Sequence, residues 1–160
     1  MKITTELADA IAALYKAELD GGFLYIFSGP IPASAEDALT VGPGGDHTQL
    51  AMLSESDDGV TGLTWEAPTD GVIVKDPGET WEGLNAFDGA EELETTLTAT
   101  FARFCPSGDN GRGAATTPRV QFCITGPSGA CELLLSSTSV TANGVLKTRI
   151  DFARIVQSLG

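Results

Sequence analysis

The chain has 160 residues, 42% of them hydrophobic, with 22 acidic against 9 basic side chains and a formal charge of −13. That length suits one domain with a full core. So negative a surface repels phosphate backbones and anionic lipid, and the cations are scattered from Lys2 to Arg154, which argues against nucleic acid or a membrane as partner.

The first segment, Met1 to Leu14, interrupts its apolar pattern with Glu6 and Asp9 and so lacks the unbroken core of a secretory signal. Apolar runs reach only about five residues, too short for a transmembrane helix, so a soluble protein made in the cytoplasm is expected. Residues 3–19 place Ile3, Leu7, Ala10, Ile11, Leu14 and Ala17 on a 3.6-residue period, with Thr4 or Thr5 to cap the start and Gly21-Gly22 to end it. This predicts one amphipathic helix, which either covers an open face of its own domain or docks on a neighbouring subunit.

Phe23-Leu24-Tyr25-Ile26-Phe27 is a short apolar run between Gly22 and Ser28-Gly29-Pro30, the pattern of a central strand buried on both faces. Residues 30–46, rich in Pro, Ala, Gly and acid, predict a long exposed loop. Beyond it, strands are expected at 48–54, 61–66, 71–75, 79–87, 93–105, 117–125, 130–136 and 145–157. In the fifth of these, Leu93, Leu97, Ala99 and Phe101 alternate with Glu94, Thr96, Thr98 and Thr100, a strand with one buried face. Pro106 to Gly113, with Asn110-Gly111, then turns the chain into a hairpin through Val120-Gln121-Phe122. At the carboxy end Ile150, Phe152, Arg154 and Val156 alternate with Arg149, Asp151, Ala153 and Ile155. No internal repeat, heptad or low-complexity tract interrupts the series. The expectation is a mainly β fold, a β-sandwich or jelly roll with one N-terminal amphipathic α-helix, in a single domain over 1–160: helix within 1–20, sandwich over 21–160.

Candidate chemistry is sparse. His47 is the only histidine and sits beside Asp46 after Gly44-Gly45, so a Ser-His-Asp or Cys-His arrangement would have to use a loop residue expected to be solvated. Cys105, Cys123 and Cys131 are odd in number and lie 18 and 8 positions apart, without zinc-ligand spacing, and are read as reduced thiols in the core. Arg103 and Arg112 near Cys105 would be the only activators of a reactive thiol. Glu55, Asp57 and Asp58, and Glu91, Glu92 and Glu94, lack an EF-hand pattern and are read as solvated acidic faces. Neither a P-loop nor a dinucleotide fingerprint occurs, and Gly108 to Gly113 holds a turn. Trp65 and Trp81 fit core packing or, as large amphipathic rings, interface anchors. No catalytic, cofactor-binding or metal-binding residue is assigned, and the expectation is a protein that is not an enzyme.

Three segments resemble small virion-associated structural proteins of tailed bacteriophages. They are Leu24-Tyr25-Ile26-Phe27-Ser28-Gly29 with Pro32 to Ala38; Gly62-Leu63-Thr64-Trp65 through Gly71-Val72-Ile73-Val74-Lys75 to Glu79-Thr80-Trp81-Glu82-Gly83; and Ala99 to Phe104 with Asp109-Asn110-Gly111 and Pro118-Arg119-Val120-Gln121. Where that family carries a Gly-rich turn into an Asp-Leu-x-Leu strand, this chain has Phe122-Cys123 and Cys131-Glu132-Leu133. The resemblance implies a capsid decoration or cement protein. It would bind the major capsid protein, self-associate, with a trimer as one option, and reside in the virion after assembly in the bacterial host cytoplasm. A tail, head-to-tail connector or fibre-associated role is the second implication. A carbohydrate- or receptor-binding module with exposed tryptophan is the alternative from a different class.

Overall fold

The computed structural model describes residues 3–88, 95–125, 133–135, 137–142, 145–150 and 152–156. Its helix, α1, spans Thr5–Leu19; the Thr4 hydroxyl accepts the Leu7 amide at 3.3 Å, and Gly21, at φ +79°, takes the left-handed step that ends it. The expected face does not point inward. Ala8, Ala12 and Leu19 are buried, while Leu7 and Leu14 are 49% and 67% exposed. The polar side is what ties α1 down: Asp9 accepts the Gly71 amide at 2.6 Å, Asp20 accepts the Trp65 amide at 3.0 Å, and Lys16 donates to the Trp65 carbonyl. Small residues allow the close approach, and three side chains satisfy backbone groups of the 65–71 segment.

Eleven strands follow: β1 Phe23–Ser28, β2 Thr48–Glu55, β3 Val72–Val74, β4 Trp81–Asp88, β5 Thr96–Thr98, β6 Phe101–Cys105, β7 Val120–Thr125, β8 Leu133–Leu134, β9 Ser139–Thr141, β10 Lys147–Ile150 and β11 Arg154–Val156. Six antiparallel strands in the order β10-β4-β2-β1-β6-β7 curl into a half-barrel, and β8 adds a short parallel pairing beyond β7. Two ribbons, β3–β11 and β5–β9, complete the described strands, so the fold is mainly β with one N-terminal helix. β1 lies between β2 and β6 with Leu24 to Phe27 all buried, as its apolar run predicts.

Several expected strands divide or dissolve. Residues 61–66 are not a strand: Leu63 and Trp65 make only isolated bridges, to Gly22 and Lys75. Gly62 lies against the Gly21 backbone, and the Thr64 amide is taken by a Glu79 carboxylate oxygen at 2.8 Å, so no ladder forms. Of the expected strand 93–105, residues 93 and 94 lie outside the described residues and the rest is two strands in different sheets, because the Ala99 amide bonds the Thr138 carbonyl while the Thr100 amide bonds the Phe27 carbonyl. Burial alternates over 96–101 as expected, with Leu97, Ala99 and Phe101 each less exposed than its threonine neighbours among Thr96, Thr98 and Thr100, and β6 is then buried at every position. The run 145–157 splits likewise, β10 pairing with β4 and β11 with β3. Ile150 pairs with Trp81 of β4, whereas the Ala153 carbonyl accepts the Lys75 amide, so the chain changes partner between these two fully buried residues. β9 was not expected at all.

The sheet is covered on both faces. On one side Leu24, Ile26, Leu53 and Phe104 pack with Trp65 and Trp81, whose rings meet edge to face at 4.9 Å. On the other, Tyr25, Phe27, Phe101 and Cys105 lie beneath Leu39, with Phe27 stacked on Phe101 at 5.2 Å. The cover on that second face is the 30–46 segment, which is therefore a folded lid on the sheet and not a free loop.

Candidate functional site

Arg103 holds that lid. Its guanidinium is buried between β1 and β7, donating to the carbonyls of Asp37 and Gly111 at 2.8 Å, of Ser34 at 3.2 Å, and to the Gln121 side chain at 3.2 Å. Gln121 in turn donates to the Pro32 carbonyl at 2.9 Å. Burial and then the nearby Arg119 depress the Arg103 pKa, against the pull of Cys105, Asp37 and Asp109, yet a guanidinium stays charged. A charge inside Phe101-Ala102-Arg103-Phe104-Cys105 was the available sequence signal for this anchor. Beneath the 106–119 loop, burial alone would raise the Asp109 carboxyl. Hydrogen bonds from Arg119, Thr117 and the Gly111 amide outweigh it and bring the pKa down to about 2.

The candidates for chemistry that lie among the described residues are committed to the fold. His47 is half-buried, not solvated: its Nε2 lies 3.0 Å from the Pro30 carbonyl, its ring meets Phe101 edge-on at 5.8 Å, and Nδ1 is buried without a partner among the described residues. Neither nitrogen is presented to a substrate. Cys105 is a free, buried thiol, pushed up to about 12 by burial and by Asp109, the reverse of activation. Cys123 is disulfide-bonded, which corrects the expectation of three reduced thiols; an odd count allows a bonded pair beside one thiol. Cys131 lies outside the described residues.

Among the acids, Asp57 accepts the Leu84 amide at 2.9 Å and pairs with Lys147 at 3.0 Å. Asp58 accepts the amides of Val60 and Thr61 at 2.8 Å, and bonds from the Thr61 hydroxyl and these amides lower its pKa. Glu91, Glu92 and Glu94 lie outside the described residues. No cluster of three metal-ligating side chains occurs among the described residues. Trp65 and Trp81 are 1% and 0% exposed, so neither offers a surface for a sugar to stack on.

What the structure leaves open is an apolar surface. Besides Leu7 and Leu14, Tyr15 on α1 is 43% exposed, and a groove of about 280 Å³ runs beside it between Leu14, Leu19, Pro118 and Val120. Sequence periodicity picks out Leu7 and Leu14 and leaves open whether their face covers the domain or docks on a neighbour. No helix among the described residues is long and apolar enough to cross a membrane. Comparison with protein families, curated proteins and solved structures gives no match for this chain.

Proposed function

We propose that this chain is a structural component of a tailed-phage particle, a capsid decoration protein that binds the assembled coat and stabilises it. The observation carrying this reading is the outward apolar side of α1 on a protein of net charge −13: large exposed apolar patches mark contact surfaces. A ligand that binds the closed shell and not its separated parts stabilises the shell by mass action. The negative surface keeps such a protein soluble and away from packaged DNA. The disulfide at Cys123 fits a particle whose working life is spent outside a reducing cytoplasm. A sandwich-like build is supported by Ile73, Leu97, Val140 and Ile155 of the two ribbons, which pack on the same core as Leu24 and Phe104 of the half-barrel.

The test is copy number in purified particles, by quantitative mass spectrometry against the major coat protein. A ratio near unity supports decoration of the whole shell. A handful of copies transfers the protein to the tail or connector, and absence from particles refutes the virion reading.

A further inference from the structure

We infer that the outward face of α1 is a self-association surface, pairing in parallel with the same helix of a second copy of this chain around a symmetry axis. Leu7, Ala10, Leu14 and Ala17 succeed one another at intervals of three, four and three residues, the a/d spacing of a coiled-coil seam. All four are exposed, and the buried Ala8, Ala12 and Leu19 lie on nearly the opposite side of the helix. Over 15 residues a 3.5-residue period cannot be told from 3.6, so the pattern reads from sequence as an ordinary core face. Only the burial separates the two.

The charges flanking the seam select the partner and its direction. Glu6 and Ala13 border it on one side, Ile11 and Glu18 on the other. In a parallel pair Glu6 lies beside Ile11 of the second copy and Ala13 beside Glu18, so no carboxylates oppose each other. An antiparallel pair would bring Glu6 towards Asp20. On a chain of net charge −13, a strip without charged side chains is a place where two copies repel each other least. Alanine at the d layers lets the backbones come near, and leucine at the a layers supplies the apolar contact. A free helix of this length would be marginal in water. Here it is already folded and tied to the 65–71 segment, so association carries no cost of ordering it.

This rests on the reading above and gives the apolar side of α1 to the contact between copies of the decoration protein, leaving the coat contact to other surfaces, yet its test needs no particle. Sedimentation velocity of the purified full chain, from roughly 1 to 100 μM, should show a dimer or trimer. The double substitution Leu7→Glu/Leu14→Glu should make it monomeric with an unchanged circular dichroism spectrum, since both side chains are exposed in the single copy, and with a melting temperature that no longer depends on protein concentration. Ala17→Cys should crosslink to itself under mild oxidation, which an antiparallel pair would prevent. A wild-type monomer throughout, an oligomer indifferent to the two glutamates, or failure of the crosslink would each overturn the inference. A monomer that decorates particles would sink the seam alone, and an oligomer absent from particles would sink the virion reading alone.

Discussion

Arg119 grips Asp109 with two roughly parallel hydrogen bonds, Nε to Oδ2 at 2.5 Å and Nη2 to Oδ1 at 2.6 Å, in side chains only 4% and 9% exposed. A bidentate pair this sheltered from water fixes the 106–119 loop against the start of β7. Asp109→Asn keeps the shape and removes the charge, leaving Arg119 without its counterion, at an expected cost of about 3 kcal/mol in urea unfolding. Folding lowers the carboxyl pKa from 3.8 to about 2. Its stabilisation is therefore complete above the unfolded value and is lost as pH falls through that window. Melting temperatures of the wild type should drop more steeply than those of Asp109→Asn between those two pH values. Parallel curves would show that the pair contributes nothing.

Arg103 is the second such anchor, with partners that are mostly carbonyls. Arg103→Lys cannot reach Ser34, Asp37 and Gly111 from one ammonium group, and Arg103→Met leaves all three acceptors without this donor, that of Gly111 buried. Each lost partner costs on the order of 1 kcal/mol or more, so about 3 kcal/mol is expected for Met and somewhat less for Lys. Limited proteolysis supplies a local readout. Cleavage within 30–46 should accelerate in both variants before global unfolding does, and uniform cleavage would show that Arg103 does not hold the lid.

These anchors mark where the sequence was legible and where it was not. Phe23 to Phe27 reads as a central strand because a short run apolar on both faces has few other places to go, and β1 is central. The hairpin through Asn110-Gly111 is likewise written locally, in a glycine at φ +72°. Period and turn chemistry carry no information about which sheet a strand joins, however. The break at Ala99-Thr100 depends on Thr138 and Phe27, and that between Ile150 and Ala153 on Trp81 and Lys75, distant partners that no local pattern names. The orientation of the helix is open in the sequence for the same reason: its most hydrophobic stripe carries Leu7 and Leu14, while the face docked on the domain is set by Asp9, Lys16 and Asp20 meeting backbone groups near Trp65 and Gly71.

Cys105 should be silent in the folded protein. Its thiol is buried beneath Leu39 on the lidded face of the sheet, and a Cβ at Gly111 would come within 3.1 Å of its sulfur. With the pKa raised to about 12, almost no thiolate exists at neutral pH. Iodoacetamide at pH 8 without reductant should leave Cys105 unmodified in native protein and label it after denaturation in urea, as peptide mapping would show. Rapid native labelling would mean that the lid opens readily.

Gly83 tests how closely β4 lies along its antiparallel neighbour β2. It pairs with Thr148 of β10 on one edge, while on the other a Cβ would run into the Met52 carbonyl and come within 3.1 Å of the Leu53 Cα. Both obstacles are backbone in the middle of the half-barrel, so they cannot swing aside as a side-chain tip would. Gly83→Ala must therefore push β4 away from β2, straining the contacts that bury Trp81 and Leu53. Overpacking of a tight core typically costs about 1–3 kcal/mol, and the upper end is expected here because the backbone has to move. Gly113, with nothing within 4 Å of its notional Cβ, is the control: Gly113→Ala should change stability by no more than about 0.5 kcal/mol. Equal effects of the two substitutions in urea titrations would show that β4 and β2 are not packed this closely, and that the half-barrel is looser at its centre than the register of Glu82 with Ser54 requires.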